Sequence, residues 1–145
     1  MIAVDSNVLI YAHREESEFH CAAKEVVGGL RQGAAPWAIP WPCVHEFLAI
    51  VTHASIYKPP TPLKTAIDAI DALAAGGNLH FLSESDGYFE KLRHIAISAQ
   101  LKGPKLHDAR IAALCLHHGV RELWTADRDF SLFPQVKIRN PLVKI

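Results

Sequence analysis

Ile2-Ala3-Val4-Asp5-Ser6-Asn7 is the stretch that decides the fold, because a short apolar run ends abruptly in a carboxylate and an amide. A continuous apolar run is typical of a parallel strand that is covered on both faces. Asn7 is the predicted N-cap of a helix that follows directly, since its side-chain oxygen can accept a free amide of the first turn. Ligands in open α/β sheets bind beyond the carboxyl ends of the strands. We therefore expect Asp5 at a reactive edge, with a purely capping role as the alternative.

The same alternation of strand and helix recurs along the chain without a sequence repeat. Short apolar runs alternate with segments whose apolar residues have helical spacing, and Gly and Pro punctuate them. The predicted strands lie at 2–4, 37–39, 79–82, 122–125 and 136–138, the last at a sheet edge. The predicted helices lie at 18–32, 42–53, 62–76, 86–101 and 107–118, with Ser17 and Thr61 as caps of the first and third. This order predicts one three-layer α/β domain over residues 1–145, with a mainly parallel central sheet.

The composition is globular, with 50% hydrophobic and 21% charged residues. The net charge is zero, yet residues 1–90 carry 5 basic and 11 acidic residues and residues 91–145 carry 10 and 4. The basic C-terminal part could attract phosphate groups beside an acidic centre, and solvated helix faces are the alternative. Three widely spaced cysteines predict reduced core thiols. With no signal-peptide or membrane-spanning pattern, we expect a cytoplasmic protein without membrane association.

Four carboxylates are predicted to converge at the carboxyl edge of the sheet. Asp5 and Asp127 follow strands, Glu46 lies one turn into a helix, and Asp108 lies in the first turn of another. Carboxylates that share a pocket repel, so the cluster needs protonation or a cation between them. Their oxygens suit Mg²⁺ or Mn²⁺, and two such ions about 4 Å apart can activate water for attack on a phosphodiester. The cluster predicts metal-dependent phosphodiester hydrolysis, although each acid alone has a structural explanation as a helix-end or surface charge.

Four segments together resemble the PIN-domain ribonucleases, most of all the VapC toxins of bacterial toxin-antitoxin pairs. The segments are Val4-Asp5-Ser6-Asn7-Val8-Leu9, the helix turn with Glu46, 105–112, and 123–130. In order and spacing, the resemblance covers essentially the whole chain. It implies a PIN-like fold, a Mg²⁺ or Mn²⁺ site, endonucleolytic cleavage of RNA, and inhibition by a cognate VapB-like antitoxin. We also expect a homodimer.

The resemblance implies four catalytic metal ligands, which are Asp5, Glu46, Asp108 and Asp127. Asp129 is a further candidate ligand. Asn7 and Thr125 would hold Asp5 and the metal-bound water through hydrogen bonds. Arg110 and Arg128 flank the acids and are candidate contacts for the scissile phosphate, with surface salt bridges as the alternative.

Two other functions share part of this sequence pattern. A haloacid-dehalogenase-like phosphatase also places an Asp after its first strand, but the second Asp that it needs two residues later is Asn7 here. A non-catalytic PIN-type scaffold that binds RNA or protein is the other alternative, and the presence of all four acids argues against it.

The tryptophans and the apolar segments allow further predictions about core packing and antitoxin binding. Trp37 and Trp124 fall in predicted strands, so core packing is favoured over stacking on bases. The family more usually has smaller polar residues where Trp41-Pro42-Cys43 stands. An antitoxin is expected to cover apolar surface near Val44–Val51 or the Pro59-Pro60 loop.

Overall fold

The fold is built on a parallel sheet, as seen in a computed structural model that describes residues 1–143. In chain order the elements are β1 (Ile2–Val4), α1 (Ser6–His13), α2 (His20–Gln32), β2 (Trp37–Pro40), α3 (Trp41–Val51), α4 (Leu63–Ala74), β3 (Leu79–Leu82), α5 (Tyr88–Ser98), α6 (Lys105–His117), β4 (Glu122–Trp124) and β5 (Ile138–Arg139). A 3₁₀ turn at Arg128–Leu132 precedes β5. The strand order is β3-β2-β1-β4-β5, and every neighbouring pair is parallel. The predicted three-layer α/β fold is confirmed.

The strand β1 occupies the centre of the sheet. Ala3 and Val4 are fully buried, which explains why this strand is a continuous apolar run. The chain builds β2 and β3 on one side of β1 and then crosses to the other side for β4 and β5. A crevice forms at the carboxyl edge where the strand order reverses in this way. Asp5, directly after β1, lies at that crevice, and its amide donates to the carbonyl of Trp124 at 3.0 Å.

The buried core contains some of the residues predicted for it. Trp37 is fully buried, as predicted, but Trp124 is only half-buried and its ring faces the guanidinium of Arg139 at 5.5 Å. Two of the three cysteines are buried, whereas Cys21 lies on the exposed face of α2, so the prediction of a core thiol is wrong there. Within residues 1–143, no helix combines the length and apolarity needed to cross a bilayer.

Three predicted helix caps are wrong, although each helix is present. Asp5, not Asn7, is the N-cap of α1, and its side chain accepts from the amide of Ser6. Ser17 accepts a hydrogen bond from the Phe19 amide, but α2 begins only at His20. The hydroxyl of Thr61 makes no cap bond to α4 and instead accepts from Arg14 at 3.0 Å. A capping side chain can turn to distant partners as well as to its own helix.

Candidate active site

The carboxylate of Asp5 is buried, with 4% of the residue exposed, and both of its oxygens are hydrogen-bonded. Its Oδ1 accepts from the Ser6 amide at 2.8 Å and from the Cys43 thiol at 3.4 Å. Its Oδ2 accepts from the Thr125 hydroxyl at 2.8 Å and from Asn7 Nδ2 at 3.3 Å. A carboxylate offers about four lone-pair positions. Two of these contacts are at 2.8 Å and two are at 3.3 and 3.4 Å, and together the donors fix the orientation of the carboxylate.

Asn7 and Thr125 connect the ends of the two central strands. Asn7 Nδ2 donates to Thr125 Oγ1 at 3.0 Å, and Asn7 Oδ1 accepts from the amide of Ala126 at 3.2 Å. The Thr125 hydroxyl also accepts from the amide of Asp127 at 3.0 Å. Asn7 Oδ1, the predicted cap of α1, thus bonds across the crevice and connects the loop after β4 to the end of β1.

A second acidic group lies at the same edge and is more open. One carboxylate oxygen from each of Asp108, Asp127 and Asp129 lies within 4.8 Å of the others. Asp108 comes from the first turn of α6, while Asp127 caps the 3₁₀ turn by accepting from the Asp129 amide at 2.8 Å. Lys105 pairs with Asp129 Oδ2 on the solvent side. We call Asp108, Asp127 and Asp129 the aspartate cluster.

Glu46 lies beside both acidic groups. It is an exposed residue of α3, and the hydroxyl of Ser6 donates to its Oε1. Burial is the main reason that the pKa values of Asp5 and Asp108 are raised, and the negative charge of Glu46 makes a small addition to each. The structure therefore gathers the four predicted acids and Asp129 at one edge, although Asp5 and Glu46 are not members of the aspartate cluster found among residues 1–143.

Comparison with known proteins identifies the family of the chain. The model of the PIN domain family matches residues 2–135. The chain belongs to the PIN-domain family. Ribonuclease VapC48 of Mycobacterium tuberculosis is 30% identical over 137 residues, which are 94% of this chain and 94% of that protein. This similarity places the PIN-domain chain among the VapC ribonucleases.

Two solved structures have a similar fold. VapBC2 of Rickettsia felis, crystallised on a DNA fragment from its promoter, has a TM-score of 0.66 and 18% identity and covers 96% of this chain and 98% of its own. VapC20 of Mycobacterium tuberculosis, described as a toxin that cleaves the sarcin-ricin loop, has a TM-score of 0.67 and 15% identity and covers 94% and 99%. At these identities the likeness concerns the fold.

The electrostatics of this PIN-domain site disfavour a full set of charges without a cation. Burial raises the pKa of Asp5, and the hydrogen bond from Thr125 opposes that shift. Burial also raises the pKa of Asp108, and the charge of Asp127 adds to the effect. The pKa of the Cys43 thiol is raised well above its usual value, mainly by burial and then by the charge of Asp5, so it stays a neutral donor. Repulsion of this kind is relieved when a cation binds.

The donor set of the aspartate cluster fits a hard divalent cation. Three carboxylates from a helix start and a tight turn approach closely, and Asp108 and Asp127 are only half-buried, which leaves a route for an ion. Oxygen ligands of this type suit Mg²⁺ and Mn²⁺, whereas a thiol or imidazole set would favour zinc. Ser6 links Asp5 and Glu46 at the same edge, because its amide donates to Asp5 and its hydroxyl donates to Glu46.

The candidate phosphate contacts have different surroundings. Arg110 forms a surface ion pair with Glu84, which is the alternative to a phosphate contact that the sequence left open. Arg128 begins the 3₁₀ turn directly after Asp127.

Trp41 is 40% exposed, and its ring stacks on Phe81 with centroids 4.5 Å apart and planes inclined by 20°.

Three residues of the site were not singled out by the sequence patterns. Ser6 contacts Asp5 and Glu46, Cys43 donates to Asp5, and Lys105 pairs with Asp129. One signal was available for Lys105, because it lies one helical turn before Asp108. Cys43 similarly precedes Glu46 by one turn of α3. Neither spacing indicates by itself which distant carboxylate the side chain reaches.

Proposed function

We propose that this protein is an endoribonuclease that hydrolyses RNA phosphodiester bonds with Mg²⁺ or Mn²⁺ bound at the carboxyl edge of the sheet. The observation that carries the proposal is the aspartate cluster, whose three carboxylate oxygens lie within 4.8 Å of one another beside the fixed Asp5. A relative that matches 94% of the chain is named a ribonuclease, which supports the reaction class.

The residues of the site have two kinds of role in this proposal, metal ligation and the positioning of the ligands. Asp108, Asp127 and Asp129 would hold the ion, with Asp5 and Glu46 as adjoining ligands. When bound, the ion supplies a more acidic water and neutralises charge on the phosphate. Thr125 and Asn7 keep the Asp5 carboxylate in one orientation through bonds of 2.8 and 3.3 Å. Ser6 likewise holds Glu46. Preorganisation of this kind lowers the cost of rearranging charged groups during reaction.

The test is cleavage of total RNA by the purified full-length chain with Mg²⁺ or Mn²⁺, with EDTA as the metal-free control. We expect discrete cuts that vanish with EDTA and in Asp5→Asn. Asp68→Asn is the matched control, because Asp68 is an exposed aspartate that pairs with Lys64 on α4. Mapping the ends would show which folded RNA is cut, since RNA is recognised largely by shape and exposed bases. Tight Mn²⁺ binding without any cut would favour the scaffold.

We also propose a toxin role for this protein, together with its partners. VapC20 is described as a toxin, and a similar solved structure from Klebsiella pneumoniae is described as a toxin-antitoxin complex. We extend this to a VapB-like antitoxin, a cytoplasmic location and a homodimer. Val44 and Val51 are buried, so these two side chains offer little apolar surface to an antitoxin. The exposed apolar side chains beside the Pro59-Pro60 loop are Ile56, Leu63 and Ile67, and we assign the antitoxin to them.

Co-expression tests the antitoxin assignment. A VapB-like protein should co-purify with the wild-type chain and suppress its RNA cleavage, and Ile67→Asp should weaken the complex without loss of cleavage. Glu90→Gln, an exposed change on α5, serves as the control surface substitution. Equal capture of both variants would contradict the assignment of this surface and leave the nuclease itself intact.

The phosphatase alternative does not fit the geometry of Asp5. A covalent nucleophile must present a carboxylate oxygen to the phosphorus in line with the leaving group. Asp5 is only 4% exposed, and the position two residues later, which should hold the acid/base aspartate, is Asn7, whose carboxamide cannot serve as that acid/base. A trapped aspartyl-phosphate on Asp5 would contradict the nuclease assignment.

A further inference from the structure

Lys105 places an ammonium group at the aspartate cluster. Its Nζ pairs with Oδ2 of Asp129, one of the three residues whose carboxylate oxygens approach within 4.8 Å. We propose that Lys105 is a resident counter-cation, which competes with the divalent ion for Asp129 and thereby sets the metal affinity of the site. The inference rests on the proposed metal site and adds a residue that determines when that site fills.

The backbone holds both partners of this ion pair in place. Lys105 is the first residue of α6 and Asp108 follows one turn later, so both lie on the same side of the helix. The amide of Asp129 donates to Asp127 Oδ1 at 2.8 Å, which fixes Asp129 next to Asp127. The ammonium therefore faces a carboxylate whose backbone is held next to Asp127.

The ion pair lies where it can be exchanged for another cation. The side chains of Lys105 and Asp129 are 44% and 55% exposed, so water and ions reach both. An exposed ammonium-carboxylate pair is weak and is screened by salt. A divalent ion that takes Asp129 as a ligand must displace Nζ from Oδ2 and then lies near a like charge. Both effects lower its affinity, and neither involves a change in the fold.

Mn²⁺ binding to the purified full-length chain, measured by calorimetry without RNA, tests the proposal. Lys105→Met keeps most of the aliphatic stem and removes the charge, so we expect the Kd for Mn²⁺ to fall by about threefold to tenfold. Lys105→Arg keeps the charge and should bind Mn²⁺ nearly as the wild type does. The tightening should shrink as salt is raised, because screening already weakens the competing charge.

Lys64→Met is the matched control. Lys64 forms an exposed pair with Asp68 at 2.8 Å on α4, and neither residue belongs to the aspartate cluster. We expect its Kd to equal that of the wild type. A double-mutant cycle sharpens the assignment, because Lys105→Met should give less tightening in an Asp129→Asn background, where the pair is already broken.

The outcomes separate this inference from the proposed function. Unchanged or weaker Mn²⁺ binding by Lys105→Met, with normal wild-type binding, would overturn the role of Lys105 alone. The same tightening in Lys64→Met would also overturn it, since net charge would then be the cause. Absence of Mn²⁺ binding by the wild type would refute the proposed metal site itself. Tightening confined to Lys105→Met and restored by Lys105→Arg would support the competition.

Discussion

Asp5 and the aspartate cluster hold the same chemical group in opposite environments. Asp5 is 4% exposed and accepts hydrogen bonds from a backbone amide, a thiol, a hydroxyl and a carboxamide. The cluster is open, and the charges near each carboxylate are mostly negative, with one ammonium from Lys105. Neutral donors are enough to position one buried carboxylate, whereas three facing carboxylates need a cation or a proton between them. The first arrangement favours rigidity and the second favours ion binding.

The largest effect should come from neutralising one member of each group. We expect Asp127→Asn and Asp5→Asn each to lower the RNA cleavage rate by more than roughly 100-fold, beyond the usual effect of residues that only orient metal ligands. Mn²⁺ affinity should distinguish them, with a larger loss in Asp127→Asn, because Asp5 is already matched by protein donors. Calorimetry and cleavage assays measure the two quantities. Loss of Mn²⁺ binding in Asp5→Asn alone would make the buried carboxylate the principal ligand.

A smaller effect should follow from removing the hydroxyl that joins the two groups. Thr125 donates to Asp5 and accepts from the amide of Asp127. Thr125→Val keeps the shape, removes one of the four donors to Asp5 and takes the acceptor from the Asp127 amide. We therefore expect about 1–3 kcal/mol of lost stability and about 10-fold to 100-fold slower cleavage. Thr125→Ser keeps the hydroxyl and should recover most of both. Urea unfolding and cleavage rates measure the effects, and equal behaviour of Val and Ser variants would contradict them.

The sequence predicts the fold and the meeting of the acids well, for a physical reason. Parallel strands end at one edge, so Asp5 and Asp127 are placed together once β1 and β4 are recognised as strands. The strand β3 was predicted with the bounds that it has, because its apolar run is separated from neighbouring helices by glycine and polar residues. These inferences depend on local patterns, which the sequence shows directly.

The partners of individual side chains are less accessible to such patterns. Asn7 is a good capping residue by type, yet its side chain bonds to Thr125 and Ala126, more than a hundred residues away. The contact between Lys105 and Asp129 depends on how α6 meets the 3₁₀ turn. A local propensity therefore identifies what a side chain can do, and the tertiary arrangement decides with which partner it does so.

A third, smaller effect concerns the stability of the metal-free protein. Asp5 and Asp108 have a raised pKa in the folded state, mainly through burial. The folded state therefore binds these protons more tightly, and the stability that they contribute is lost as the pH rises above about 3.8 through the raised values. We expect Asp108→Asn to be more stable than the wild type at pH 8, by less than about 1 kcal/mol because solvent screens this carboxylate.

Thermal unfolding at pH 4 and pH 8 measures that difference. The difference between the two proteins should be smaller at pH 4, because a raised pKa means that more of Asp108 is protonated there. Mn²⁺ at pH 8 should stabilise the wild type by about 2.7 kcal/mol at 100 times its Kd. Lower stability of Asp108→Asn at pH 8 would mean that the aspartate is stabilised by a contact and not strained by its charged neighbours.

The smallest effect concerns Arg110, a candidate contact for the RNA phosphate. Its pair with Glu84 is partly exposed, so Glu84→Gln should change stability by no more than about 1 kcal/mol. If Arg110 binds the RNA phosphate, freeing it should tighten RNA binding at low salt, and the gain should disappear at high salt. Glu90→Gln frees Arg93 on α5 in the same way and is the control. Fluorescence anisotropy with a labelled RNA and EDTA measures both variants. Equal binding would show that Arg110 serves only the surface pair, and the charges that attract RNA would then have to lie elsewhere in the basic C-terminal part of the chain.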